Sequence, residues 1–218
     1  MQQKQDIKGF TVLELIVVIT IIAIVSTVGY PNFMNWKADR ELRAAVEKVS
    51  SMITNINTQV QRGNFQYVQL EISPNGLSDT SFYTKGMYQD TYSDILNDAG
   101  KTIDCRINNS SYWDEHKVEE TTKKIAVHID GDVSVCFSKD GSKFKAAGKI
   151  DNNINLTING ENKDDYIILC TQNNAKKTGN KCGVNQGSGL EKPAYLVLWS
   201  RFGTVKKYKW SGNGWSNL

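Results

Sequence analysis

The feature that most constrains this chain is an apolar run near its N-terminus, from Phe10 to Tyr30. The run holds 21 residues, and Glu14 is its only charge. Because an α-helix rises about 1.5 Å per residue, a helix of this length covers roughly the 30 Å hydrocarbon core of a membrane. Lys4 and Lys8 form a positive flank of the kind that stays in the cytoplasm. The pattern predicts a membrane-spanning helix over residues 10–30, with the bulk of the protein across the membrane.

An ordinary secretory signal peptide, cleaved after the small-x-small triplet at residues 27–29, is an alternative interpretation of this run. Glu14 argues against it, since a carboxylate in the centre of a lipid-embedded helix costs about 2.5 to 3.5 kcal/mol and has no use in a discarded peptide. Cleavage between Gly9 and Phe10 explains the acid, because the new amine would lie one helical turn from Glu14 of the same molecule, or beside that of a neighbour. The two buried charges would then neutralise each other.

The residues around that bond resemble the class III leader of type IV pilins and type II secretion pseudopilins, which the chain matches with Lys8, Gly9, Phe10, Thr11, Val12, Leu13 and Glu14, then apolar residues and Pro31. The resemblance implies a leader of residues 1–9 and a prepilin peptidase that removes it and methylates Phe10. It further implies that Glu14 registers each subunit among other pilins or pseudopilins of a filament. The precursor would be a single-pass protein of the bacterial inner membrane with a periplasmic head.

Pro31 falls where pilins often carry a helix-bending proline. Proline lacks an N–H group and its ring clashes with the preceding turn, so a helix bends or melts locally at such a residue. The exit of a membrane helix explains the same residue equally well.

Downstream of Pro31, apolar residues recur every three or four positions, which is typical of one face of a helix. The other face carries charged and polar residues such as Asp39 and Glu47. We predict an amphipathic helix over residues 31–62 that ends at Gly63 and Asn64. Its apolar stripe consists of Met34, Ala38, Leu42, Val46, Val49, Ile53, Ile56 and Val60.

Beyond Asn64 the hydrophobic period changes to two, which is typical of β-strands. Asp130-Gly131 separates two alternating segments and predicts a hairpin. We therefore expect residues 63–218 to form a mostly antiparallel β-sheet head packed on the helical stripe, an α+β, pilin-like fold. Residues 77–122 show neither period and are interpreted as an insertion or long loop with some short strands. Strands are expected at 65–72, 125–129, 133–137, 154–158, 166–170, 195–199 and 205–210.

Four cysteines lie in the portion assigned to the far side of the membrane, where an oxidising compartment favours disulfides. Three pairings are open. We favour Cys170 with Cys182, which closes a loop at the end of a strand, and hence Cys105 with Cys136. A structural zinc site is the rival, although the ligand spacing usual for zinc is missing.

No catalytic motif, metal site or cofactor site is recognised in the sequence, and the chain is not expected to be an enzyme. The two histidines, His116 and His128, are interpreted as surface residues. A secreted or anchored enzyme behind an unusual signal remains a third hypothesis.

The segment from Tyr166 to the C-terminus carries eight basic residues and one acid, interleaved with aromatic rings. Such a composition suits double-stranded DNA, with Arg201, Lys206, Lys207 and Lys209 as candidate contacts. A hairpin with one core face and one charged face explains the same pattern. Residues 197–206 resemble the closing hairpin of the GspH/FimT group of minor pilins and pseudopilins, some of which carry Gly-Arg-x-Arg there and act in DNA uptake. In this chain Thr204 follows Gly203, in the place of the first arginine of that motif.

These patterns together favour a minor pilin or pseudopilin, a structural subunit that initiates or caps a type IV pilus or a type II secretion pseudopilus. The alternative is a DNA-binding minor pilin that serves natural transformation. The leader does not distinguish a pilus from a secretion pseudopilus, because both use it.

Overall fold

The computed structural model describes residues 11–76, 79–98, 105, 114–127, 133–141, 156–163, 165–200 and 202–218. The chain divides into two units, one that ends at Ala38 and one from Asp39 to Leu218. Helix α1, Val12–Gln61, contributes residues to both units. The expected leader, with Gly9 and Phe10, lies outside the described residues.

The second unit is α+β, and its described strands pair only in the antiparallel sense. Its other helices are α2, Gln89–Asn97, and α3, Gln172–Lys177. The strands are β1 Tyr67–Asn75, β2 Asp79–Met87, β3 Asp114–Lys123, β4 Ile125–Val127, β5 Val133–Ser138, β6 Leu156–Ile158, β7 Glu161–Lys163, β8 Tyr166–Thr171, β9 Ala194–Trp199, β10 Val205–Trp210 and β11 Trp215–Asn217.

In the first unit, α1 runs through Pro31 without ending there. The proline disturbs the turn that begins four residues before it, at Thr27. Two helical segments, Val12–Thr27 and Gly29–Gln61, accordingly meet at a bend of 42°. Within the described part of the chain, no single helix has the length and apolar composition to cross a membrane, whereas this bent pair has both together.

In the second unit, α1 buries six of the eight residues of the predicted apolar stripe, whereas Met34, in the first unit, is 44% exposed. The six members from Leu42 to Val60 are at most 1% exposed. The helix ends at Gln61 because Gly63 adopts a positive φ of 79°. The N–H groups of Gly63 and Asn64 then donate to the carbonyls of Val60 and Gln59, which is the hydrogen-bond pattern of a Schellman cap. The predicted end of this helix is confirmed.

Two sheets and a separate hairpin make up the β structure of the described residues. The first sheet has the order β3-β2-β1-β5 and the second the order β11-β10-β9-β8-β4, while β6 pairs with β7. The turn between β6 and β7 uses Asn159 and Gly160, both at positive φ, and directly follows the strand predicted at 154–158. A long N-terminal helix followed by antiparallel sheets confirms the predicted fold class.

The hairpin predicted at Asp130-Gly131 is wrong. The strands on either side of it lie in different sheets, because β4 pairs with β8 and β5 pairs with β1. The turn residues themselves lie outside the described residues. Residues 77–122 were expected as an insertion or long loop. They contain the nine-residue strand β2, which pairs with both β1 and β3, and also helix α2.

One core cluster joins the buried stripe of α1 to one face of both sheets. The other face of the second sheet belongs to a second cluster, which holds Tyr166, Ile168 and Leu196. Strands covered on both faces read as continuous apolar runs instead of alternating, which explains the compositions of β8 and β9.

Two disulfides tie outlying segments to these sheets, and they join the pairs that the sequence favours. Cys105 bonds to Cys136 of β5, with the Cα atoms 6.0 Å apart, and lies in a small cluster with Ile95 of α2. Cys170 of β8 bonds to Cys182, with a Cα separation of 5.7 Å. No free cysteine occurs within the described ranges.

Candidate functional site

The first candidate site is the apolar surface of α1 in the first unit. Large apolar side chains are exposed along the whole segment, from Val12 through Ile24 and Val25. A contiguous apolar surface of this kind marks a contact with a membrane or a partner. The described part of the segment from Val12 to Val28 carries one charge, Glu14, as the sequence shows.

Glu14 forms a reciprocal cap with Thr11 at the start of α1. The N–H group of Glu14 donates to the Thr11 hydroxyl oxygen over 3.2 Å, and the N–H group of Thr11 donates to a Glu14 carboxylate oxygen over 3.4 Å. This is a capping box, in which two otherwise unsatisfied N–H groups of the first turn gain partners. A carboxylate also suits this end of a helix because the macrodipole is positive there.

The sequence-based predictions above do not include this cap, although Thr-x-x-Glu is its recognised signature. It shows that the carboxylate of Glu14 points towards the residue that follows Phe10. Gly9 and Phe10 lie outside the described residues, so their proposed chemistry stays a prediction.

The two threonines of this segment, Thr20 and Thr27, form hydrogen bonds within the helix itself. The hydroxyl of Thr20 donates to the carbonyl of Ile16 over 2.7 Å, and that of Thr27 donates to the carbonyl of Ile24 over 2.8 Å. Such internal bonds lower the cost of placing these two hydroxyl groups in an apolar environment.

The second candidate site is the basic hairpin of β9 and β10. Two of its three lysines contact acids of α1 within the second unit. The ammonium of Lys207 lies 2.7 Å and 2.9 Å from the two carboxylate oxygens of Glu47. That of Lys209 lies 3.0 Å from a carboxylate oxygen of Asp39. These contacts place both ammonium groups over the helix.

Tyr195 completes the contact at Asp39. Its hydroxyl donates to the other carboxylate oxygen of Asp39 over 3.0 Å. Burial raises the pKa of Tyr195, and the hydrogen bond with Asp39 raises the pKa of Lys209. Asp39 therefore holds β9 and β10 against α1 through both of its oxygens.

Lys206, the third lysine of the hairpin, is exposed and lies near an acid of another strand. The carboxylate of Glu161 pairs with Lys163, and that contact lowers the pKa of Glu161, with a smaller contribution from Lys206. Arg201 lies outside the described residues. The structure thus pairs two of the three lysines of β10 with acids of α1 and leaves Lys206 exposed.

The turn between β9 and β10 rests on α1. The side-chain amide of Asn57 donates to the carbonyl of Phe202 over 3.0 Å. Gly203 adopts a φ of 75°, and a Cβ atom there would lie 2.3 Å from the side chain of Asn57. Only glycine fits both the backbone conformation and this close approach.

No chemical site emerges from the rest of the described structure. A shallow polar groove of about 540 Å³ lies between α1 and β10. Within the described ranges, His, Cys, Asp and Glu form no group of three that could hold a metal ion. His116 lies on β3, and His128 lies outside the described residues. The groove is lined by Glu47, Ser50, Ser51, Thr54, Asn55, Val205 and Lys207.

Comparisons with known proteins agree with the N-terminal features. The model of the prokaryotic N-terminal methylation motif matches residues 4–30. Two proteins of Pseudomonas aeruginosa, each named fimbrial protein, are 28% identical to this chain over 95 residues, which make up 44% of this chain and 56% of each relative. The matched stretch of the chain thus spans little more than half the length of the curated relatives it matches. No solved structure matches it.

Proposed function

We propose that this chain is a type IV pilin-like filament subunit whose apolar N-terminal helix moves from the membrane into the filament core. The observation that carries the proposal is the exposed apolar surface of α1 with Glu14 in its first turn. The methylation motif over residues 4–30 supports the same function.

The processing step is cleavage between Gly9 and Phe10 by a prepilin peptidase, followed by methylation of the new amine. The structure supports the position of this step, because Thr11 caps α1 and the helix begins at Val12. In this proposal the new amine belongs to the residue that precedes the Thr11 cap in the sequence. The precursor is a single-pass protein of the inner membrane, and Phe10 to Val28 form its buried segment.

Glu14 registers the incoming subunit in this proposal. An ammonium group and a carboxylate attract each other more strongly in an apolar medium than in water, and each charge is costly there when it is alone. A subunit placed one position out of register would leave Glu14 and an amine unpaired among apolar side chains. Correct register is therefore the state in which both charges are satisfied.

The place of the subunit in the filament is a finer proposal. We assign it to the minor subunits, which initiate or cap a pilus or a secretion pseudopilus. Two features support the assignment: the chain is longer than either fimbrial relative, and two disulfides tie outlying segments to its sheets.

A DNA-binding role through the basic hairpin has less support. Lys207 and Lys209 already contact Glu47 and Asp39, and Lys206 lies near Glu161. DNA would have to displace these acids or accept their repulsion. We therefore interpret the hairpin as a structural element that closes the sheet over α1.

The filament proposal is tested by replacing Glu14. Glu14→Gln keeps an oxygen that can accept from the N–H group of Thr11 but removes the charge, whereas Glu14→Ala removes both. We expect both variants to be cleaved at a normal rate and to enter sheared filaments at least about tenfold less than the wild type, since about 1.4 kcal/mol corresponds to tenfold. Quantitative immunoblots of sheared and cellular fractions measure this.

Glu41→Gln is the matched control, because Glu41 is an exposed acid of the same helix in the second unit. It should enter filaments normally. Normal incorporation of Glu14→Gln together with loss of Glu14→Ala would assign Glu14 to capping alone. Normal incorporation of both variants would refute the registering role.

A further inference from the structure

We propose that Tyr30 and Trp36 form an interfacial anchor, seated in the lipid headgroup layer at the end of the apolar segment opposite Phe10. The inference rests on the proposed function, in which the precursor is embedded in a membrane. It adds the part of the lipid that the helix recognises and the depth at which the helix is held.

Three aromatic side chains follow the apolar segment on α1. Tyr30, Phe33 and Trp36 are each more than half exposed, and the rings of Phe33 and Trp36 lie 5.9 Å apart. Exposed aromatic rings grouped at one level of a helix need a covering partner. These three residues lie within the first unit, upstream of the buried stripe.

The chemistry of Tyr30 and Trp36 fits the boundary between hydrocarbon and water. Tyrosine and tryptophan combine an apolar ring with an O–H or N–H donor, and both are enriched where lipid tails meet headgroups. The residues on either side of the aromatic group also change from apolar to charged along the helix. Apolar side chains precede Tyr30, and Lys37 follows Trp36 with an exposed ammonium-bearing side chain.

The spacing along the helix fits the dimensions of a bilayer. At 1.5 Å per residue, Val12 and Tyr30 are separated by about 27 Å along the helix, close to the roughly 30 Å thickness of the hydrocarbon core. Tyr30 and Trp36 are separated by about 9 Å, comparable to one headgroup layer of about 5 to 8 Å.

The anchor sets the depth of the precursor. With Tyr30 at the outer edge of the hydrocarbon, Val12 reaches the opposite edge and the bond between Gly9 and Phe10 enters the cytoplasmic headgroup layer. A peptidase working at that face then meets the bond at a fixed height.

The depth is measured by fluorescence of the full chain in phosphatidylethanolamine and phosphatidylglycerol vesicles. The lipids carry bromine, a quencher of tryptophan, either near the headgroup or near the end of the tails. Subtracting the Trp36→Phe signal from the wild-type signal isolates Trp36 from the four other tryptophans. We expect headgroup-proximal bromine to quench this difference at least about twofold more than deep bromine.

The anchor would be refuted if deep bromine quenched the Trp36 difference signal more than headgroup-proximal bromine. It would also be refuted if neither bromine quenched that signal in a chain that floats with the vesicles. Both outcomes leave the filament proposal unaffected. A chain that fails to float would contradict both, since it would not be embedded at all.

A second measurement distinguishes lipid from a neighbouring subunit as the partner. Tyr30→Leu/Trp36→Leu should slow leader cleavage several-fold in membranes, while Leu96→Ala, the control at an exposed apolar residue of α2 in the second unit, leaves it unchanged. Normal cleavage with reduced entry into filaments would assign the aromatic residues to a contact between subunits and refute the anchor.

Discussion

The two parts of α1 share one run of helical hydrogen bonds but have opposite surroundings. From Val12 to Trp36 the described large apolar side chains are exposed, and Ile22 is 58% accessible. From Leu42 to Val60 they are buried, and Ile53 is 0% accessible. The second part is stabilised by its own sheets, whereas the described side chains of the first part have no such cover. In the proposed function, lipid or other subunits cover the first part, so that the second part serves folding and the first part serves assembly.

Matched truncations of one isoleucine in each part test this division, and they give the largest expected effect. Ile53→Ala should lower the free energy of unfolding of the head by about 2 to 5 kcal/mol, because it opens a cavity in the core. Ile22→Ala should change it by less than about 0.5 kcal/mol. Urea unfolding of the full chain in mild detergent, followed by near-ultraviolet circular dichroism, gives both values. Equal losses of unfolding free energy in Ile53→Ala and Ile22→Ala would contradict this division of α1 into two parts.

A pair of glycine substitutions sharpens the comparison by testing how firmly the β9–β10 turn rests on α1. Gly203→Ala should destabilise the head more than Gly160→Ala. Both glycines have positive φ, which costs about 1 to 2 kcal/mol for alanine, but only Gly203 has a neighbour within 4 Å, the side chain of Asn57. The same unfolding assay measures the excess.

Asn57→Ala in the Gly203→Ala background should recover part of that excess, because it removes the atoms with which the new Cβ atom collides. Equal effects of the two glycine substitutions would show that the turn does not rest on the helix.

The smallest effect concerns the alkaline stability contributed by Asp39, Tyr195 and Lys209. Folding raises the pKa of both Tyr195 and Lys209. The contribution of each side chain to the free energy of unfolding is therefore fully present below its unfolded-state pKa, which is about 10. That contribution is lost as the pH rises through the folded-state pKa. We expect the free energy of unfolding to fall above about pH 10.

Lys209→Met should make this decline shallower, and Tyr195→Phe should also lower stability by about 1 kcal/mol at neutral pH through its lost hydrogen bond. Lys206→Met, on the same strand, is the control and should leave the slope unchanged. A slope that Lys209→Met does not alter would show that the contact with Asp39 contributes nothing to alkaline stability.

Much of the fold could be predicted because local patterns specify it. The buried stripe of α1, its glycine cap, and strand β10 at Val205–Trp210 all follow from periodicity or turn chemistry within a few residues. Strand β2 was missed because Thr80 and Ser81 are polar yet buried, and the partner that satisfies the hydroxyl of Thr80 is the distant carbonyl of Ile125. No local pattern reports that partner.

The same limit applies to the turn at Asp130-Gly131 and to the basic hairpin. Turn chemistry predicts a reversal of the chain but not the sheet that each strand joins. The acids that meet Lys207 and Lys209 lie 160 and 170 positions away in sequence. The candidate DNA surface thus looked free in the sequence only because its partners belong to α1. The cap of Glu14 is a different case, because Thr11 and Glu14 lie three positions apart and form a recognised sequence motif.

The central claim is that the apolar first part of α1 is retained and gains a new amine beside Glu14. Intact-mass and N-terminal peptide mass spectrometry of protein from a cell with the prepilin peptidase tests it most directly. We predict a mature chain that begins with methylated Phe10 and lacks residues 1–9. A mature chain that begins at Tyr30, or a precursor that keeps Met1 in the presence of the peptidase, would contradict the account.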